Sequence, residues 1–176
     1  EMVDNSMKTD RIIGIIQPRK TGNIKKPDLY EVGCAGKITS FNKAEDGRYL
    51  IILNGICRFK IINETKNEKL FREYNIKFDE YFDDFENNDE EIKFTDLQLI
   101  FNNLKELLKK QGYIINLKEI KRKNLNETIN TLSMASPFSL EEKQVLLESK
   151  NISLRKEKLE QILKNYIVDN FSNNTL

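Results

Sequence analysis

Residues 30–62 read YEVGCAGKITSFNKAEDGRYLIILNGICRFKII, and the phase of this stretch decides the fold of the first half. At its centre stands Glu45-Asp46-Gly47-Arg48. An Asp-Gly pair between apolar runs is the strongest short hairpin signal. With Asp46 and Gly47 as the two turn residues, Cys57 falls opposite Gly36 and Cys34 opposite Phe59. Tyr49, Ile51, Leu53, Cys57, Phe59 and Ile61 then share one face with Val32, Cys34, Ile38 and Ser40. Glu31, Lys37, Thr39, Arg48, Asn54, Arg58 and Lys60 take the other. Two strands that agree on one buried face support this register, because a one-residue slip turns every side chain over. Leu50, Ile52 and Phe41 interrupt the polar face, so part of it is expected to be covered.

Working outward, Arg11–Pro18 (RIIGIIQP) carries branched apolar residues on both faces and is ended by a proline. That pattern predicts a central strand with neighbours on both sides. Residues 72–78 alternate Tyr74, Ile76 and Phe78 with Glu73, Asn75 and Lys77, which predicts a half-buried strand. Residues 1–78 are therefore expected to form a small antiparallel β unit.

After residue 93 the period changes to that of helices. Thr95-Asp96-Leu97-Gln98 is a capping-box sequence, with Phe94 and Leu99 placed for a hydrophobic staple. Leu97, Ile100, Phe101, Leu104, Leu107 and Leu108 form one stripe, and Gly112 is placed to end the helix. A short helix from Asn116 and a second from Asn124 to about Ala135 follow, stopped by Pro137. Ser139 caps another helix, and Ser153 a last one with Leu154, Leu159, Ile162, Leu163, Tyr166 and Ile167 on one face. The helical region is set at 94–171, with 172–176 a frayed tail. Between the halves, Asp79–Lys93 holds eight acidic residues and one lysine, a net charge of −7, and reads as a linker.

Composition removes whole classes of chemistry. The 176 residues contain no His, which excludes Ser-His-Asp and Cys-His catalysis and His-ligated zinc or haem. No G-x-x-x-x-G-K-[ST] motif is present, and two cysteines cannot close a four-ligand zinc site. No cofactor or metal is expected. A net charge of +1 argues against a wholly basic nucleic-acid binder. No apolar run reaches the roughly 20 residues that span a bilayer. A cytoplasmic protein without a membrane partner is the expectation.

The order of the motifs then points to a family. Arg11-Ile12-Ile13-Gly14-Ile15-Ile16-Gln17-Pro18 is followed by Tyr30-Glu31-Val32-Gly33-Cys34-Ala35-Gly36-Lys37-Ile38. Asp46-Gly47-Arg48-Tyr49, Gly55-Ile56-Cys57-Arg58-Phe59 and Pro137-Phe138-Ser139 come next, then Lys143–Glu148 (KQVLLE) and Arg155 with Leu159. Over residues 2–163 this resembles the N-terminal substrate-binding domain of Lon proteases, and more narrowly the stand-alone bacterial proteins built from that domain. The resemblance implies an α+β fold, with a PUA-like antiparallel β pseudobarrel followed by a helical bundle. It implies recognition of unfolded or partner polypeptides and no catalysis. It also implies that the family's first strand would lie upstream of Glu1, leaving a β edge open for aggregation or a homodimer. The ATPase and Ser-Lys protease parts of the full protease have no counterpart in these residues.

Competing readings of single features are weighed on chemistry. Cys34 and Cys57 would lie diagonally on one buried face, about 7–8 Å apart and outside easy disulfide reach. They read as small buried hydrophobes ahead of a redox pair. Gly33, Gly36 and Gly55 read as a bulge or bend ahead of a peptide-approach surface. The aromatic residues Tyr81, Phe82 and Phe85 within the acidic stretch read as locally packed linker ahead of a dock for a cationic partner. Seven basic residues in 105–123 read as a solvated helix face ahead of a nucleic-acid site. The alternative function is an RNA-binding PUA-like module, whose signature would be a basic stripe across both halves. No catalytic residue and no polypeptide-binding residue can be named from the sequence.

Overall fold

A computed structural model describes residues 1–85, 97–110 and 124–172. The chain divides into two compact units, Glu1–Asn87 and Asn88–Leu176. The first opens with a short helix, α1 (Met2–Met7), followed by strands β1 (Ile12–Asn23), β2 (Lys26–Lys43), β3 (Tyr49–Thr65) and β4 (Glu73–Lys77). They form one antiparallel sheet in the order β1-β2-β3-β4. A 3-10 segment, Asp79–Phe85, follows with a kink at Tyr81. The second unit contains α2 (Gln98–Lys110), α3 (Leu125–Ala135), α4 (Leu140–Glu148) and α5 (Ile152–Ser172). The fold class is α+β, as the sequence predicts.

The central hairpin forms, but one residue out of the predicted register. Its loop has three residues, Glu45, Asp46 and Gly47, rather than two. The Ala44 amide donates to the Arg48 carbonyl at 2.9 Å, and Gly47 adopts φ +83°. A left-handed glycine closing a three-residue loop is the next most common hairpin solution after the two-residue turn. Asp46 accepts from the Arg48 amide at 3.0 Å and from its guanidinium at 2.8 Å, which holds the three-residue loop in place. As a result Cys57 lies opposite Ala35 and Cys34 opposite Arg58, not opposite Gly36 and Phe59. Two irregularities follow along the ladder. Pairing passes from Ala35↔Cys57 to Gly36↔Gly55, leaving Ile56 extra, and from Ile38↔Leu53 to Ser40↔Ile52, leaving Thr39 extra. The second offsets the first, because the extra residues are on opposite strands.

β1 also departs from expectation. It lies at the end of the sheet order rather than in its centre, and it runs past Pro18 to Asn23. The pairing with β2 is irregular on both sides of Pro18, which suits a residue without an amide hydrogen on an outer strand. Ile13 is buried at 6%, whereas Ile12 and Ile15 are half exposed. β4 is shorter than predicted, and Ile76 and Phe78 are exposed rather than half-buried.

The sheet must be curled. Straight, the 17 residues of β3 would measure about 55 Å. Yet α1, six residues and about 9 Å long, reaches both its ends. The Tyr49 hydroxyl donates to the Asp4 carboxylate at 2.9 Å, and the Leu70 amide, five residues past the end of β3, donates to Glu1, the N-cap of α1, at 3.3 Å. Strand bulges supply such bending.

The helical unit follows its caps. Glu127 donates its amide to the Asn124 side chain, and Ser139 with Glu142 forms a full capping box. The last helix is capped by Asn151 instead of Ser153: the Leu154 amide donates to Asn151 Oδ1 at 2.9 Å. All six residues of the predicted Leu97–Leu108 stripe are buried, and they pack with Ile129, Leu132, Phe138, Leu146, Leu159, Ile162 and Leu163. The Thr95 capping box, Gly112 and the short helix at Asn116 lie outside the described residues.

Candidate polypeptide-binding surface

Among the described residues no cluster of acidic or cysteine side chains could hold a metal ion. Both cysteines are free thiols, Cys57 buried and Cys34 half-buried. Burial pushes both thiols above their ordinary pKa, and the Asp84 carboxylate adds to the effect. A thiol raised this way is a poor nucleophile. The one-residue register change also removes their expected diagonal placement.

Of the three hairpin glycines, Gly33 is required by close packing, while Gly36 and Gly55 lie at a bulge. An added Cβ at Gly33 would come within 2.6 Å of both the Ile15 carbonyl oxygen and the Phe59 ring. At Gly14, on β1, it would come within 3.1 Å of the same ring. Phe59, 4% exposed, thus lies across Gly33 and Gly14. Gly36 and Gly55 face each other beside the first bulge.

Arg58, placed by the sequence on the polar face, is only 5% exposed. Its backbone amide, Nε and Nη2 donate to the Asp84 carboxylate at 2.8, 2.9 and 2.7 Å, and its guanidinium lies 4.4 Å over the Tyr81 ring. The segment 79–85, read from sequence as linker, is tied to β3 by this contact. Nothing local in the sequence announces it, since the partners are 26 residues apart.

Between the β1–β2 turn and the β3–β4 loop is an open cleft of about 560 Å³, lined by Lys25, Lys26, Glu64, Lys66, Lys69 and Arg72 among others. Glu64 sits between Lys26 and Arg72 at 3.0 and 2.9 Å, and these cations, Arg72 first, hold its carboxyl down at about 2. Glu64 neutralises one of the five cations in this lining and Glu73, 2.5 Å from Lys69, a second, so the cleft keeps a net positive charge.

The β unit also displays apolar surface. Ile12 and Ile15 on β1, Leu50 and Ile52 on β3, and Phe78, Phe82 and Phe85 around the 3-10 segment are all between 41% and 69% exposed. Among the described residues β1 pairs with β2 alone, so no strand is joined to its far edge. An outer strand bearing exposed isoleucines can accept an added strand through main-chain hydrogen bonds.

Known proteins share this architecture. The N-terminal domain of the Lon protease from the Mycobacterium avium complex superposes with a TM-score of 0.57 at 15% identity, over 95% of this chain and 83% of that one. The Lon N-terminal domain protein from Xanthomonas campestris gives a TM-score of 0.55 at 15% identity, over 88% and 89%. In sequence, the Lon protease of Malacoplasma penetrans is 31% identical over 170 residues, and Lon protease 1 of Hydrogenovibrio crunogenus 28% over 165. These alignments take in 88% and 90% of this chain but 21% and 19% of the two proteases, so the chain spans about a fifth of each. No described helix is long and apolar enough to cross a membrane. With residues 1–165 matching the family described as the ATP-dependent protease La (LON) substrate-binding domain, the chain belongs to that family.

Proposed function

We propose that these residues form a non-catalytic recognition module that binds unfolded or partner polypeptides. The observation that carries this reading is the solvent-facing apolar surface of the β unit, above all the outer strand β1 with Ile12 and Ile15 half exposed. An extended polypeptide can add to such an edge, with main-chain hydrogen bonds supplying affinity and side-chain pockets supplying selectivity. The raised thiols and the absence of histidine from the sequence leave no recognisable activated nucleophile, which supports recognition over catalysis. The same edge offers a route to a homodimer by strand pairing.

Titration with a fluorescently labelled, permanently unfolded protein and with its folded counterpart tests the proposal. Saturable binding of the unfolded form alone, with neither ATP nor peptide hydrolysed, is the expected outcome. Equal or absent binding of the two forms would refute it.

A further inference from the structure

The 3-10 segment Asp79–Phe85 is held on one side and open on the other. On the held side Tyr81 is 3% exposed, and Asp84 takes three donors from Arg58. On the open side Phe82 and Phe85 are 55% and 53% exposed, beside Phe78 at 41%. The ring centroids are 5.9, 6.1 and 6.5 Å apart, so each ring touches the other two. The anchoring of Tyr81 and Asp84 fixes the display, and a display held in place before binding loses less freedom when a partner arrives. Three contiguous phenylalanines in water form the kind of patch that marks an interaction site.

The surroundings of the rings select the partner. Asp79, Glu80 and Asp83 alternate with them in sequence, and Glu80 also pairs with Lys77 at 3.5 Å. The segment Asp79–Phe85 carries four carboxylates, one of them paired with Arg58, and no cation of its own. An anionic membrane or a nucleic acid would be repelled there. A second copy presenting the same patch would set acid against acid. A cationic, apolar polypeptide satisfies both features: its aromatic or branched side chains cover the rings, and its Lys or Arg side chains meet the carboxylates and the ring faces.

We infer that the Phe78–Phe82–Phe85 cluster is a docking site for extended polypeptide segments in which apolar residues adjoin Lys or Arg. This rests on the polypeptide-binding reading and adds to the β1 edge a second contact surface and a substrate class.

The test uses the full 176-residue chain and three labelled peptides: one alternating Lys with Phe and Leu, one with Glu for each Lys, and one with Ser for each apolar residue. The first is expected to bind most tightly. The double variant Phe82→Ala/Phe85→Ala should weaken it by about tenfold or more. Asp83→Lys should weaken it about twofold to fivefold and narrow its lead over the Glu peptide. Hydrogen exchange on the unaltered chain should show protection at residues 78–85 on adding the first peptide, a readout that needs no variant. If polypeptides bind but the double variant and the charge swap change nothing, or protection falls elsewhere, this site is wrong while the general reading stands. If no polypeptide binds the unaltered chain, both fall. If the double variant only dissociates a dimer and leaves peptide binding intact, the occupant is a second copy and the inference is overturned.

Discussion

The helical unit hides its large side chains and the β unit displays them. Among the described residues, the ten largest fully buried side chains all lie between Leu97 and Leu163. Twelve large apolar side chains of the β unit are exposed among the described residues, against five of the helical unit. The two have different tasks. Leu104, Ile129, Leu132, Leu159 and Leu163 are essentially sealed from water and supply stability by burial. The β unit is held more by directed contacts, such as the Arg58–Asp84 pair, the close packing of Phe59 on glycine and the ties to α1. Its apolar surplus remains at the surface.

The contrast can be broken most forcefully in the helical core. Leu104→Ala or Leu163→Ala should destabilise by about 3–4 kcal/mol in denaturant unfolding, whereas Leu50→Ser on the β unit should stay within about 0.5 kcal/mol. An equal cost at both would erase the distinction.

In the β unit the largest loss is expected from Asp84→Ala. It leaves a buried guanidinium without its counter-charge and should cost about 3 kcal/mol. Arg58→Met/Asp84→Ala should recover most of that, because removing both charges removes the penalty. A double variant as unstable as the single one would mean that packing, not charge, ties the segment to β3.

Gly33→Ala comes next, at about 2 kcal/mol, because its new methyl meets a backbone carbonyl as well as the Phe59 ring. Gly55→Ala has 3.8 Å to its nearest neighbour and should cost much less. Thermal unfolding of the pair measures whether Phe59 requires the glycine or merely tolerates it.

The smallest effect is the pH response of Glu64. Its folded pKa is depressed, so its contribution is present above the ordinary value of 4.5 and is lost as pH falls toward about 2. The stability difference between the unaltered protein and Glu64→Gln should be constant above about pH 4.5 and shrink below it. A difference that persists at about pH 2 would show that the side chain acts through something other than its charge.

Legibility in the sequence divides along the same line. The helical stripe and the caps at Asn124 and Ser139 were readable because helix rules are local: the cap and the amide it accepts from are three residues apart. Asn151 and Ser153 are both good cap types, and the local pattern alone does not choose between them. The hairpin was readable, but not its register. Asp46-Gly47 suits a two-residue turn and a three-residue loop alike, and the choice moves Cys34 from Phe59 to Arg58. The bulge at Ile56 was legible in the glycines beside it, Gly36 and Gly55, whereas the one at Thr39 leaves no such signal. The four isoleucines of β1 suggested a strand covered on both sides, yet Ile12 and Ile15 face solvent. Of the candidate surface, the aromatic residues of the acidic stretch were visible as residues. Their display was not, since it depends on the distant Arg58.

The strand order of the sheet equals its order in the chain, β1-β2-β3-β4. Every pairing joins neighbours, and the lock on the last segment closes at Asp84. For a chain leaving the ribosome, each strand meets its partner soon after it emerges, with no wait for the helices. The exception is α1. Although it precedes every strand, it cannot complete its contacts until Tyr49 and Leu70 have both appeared, after β1, β2 and β3.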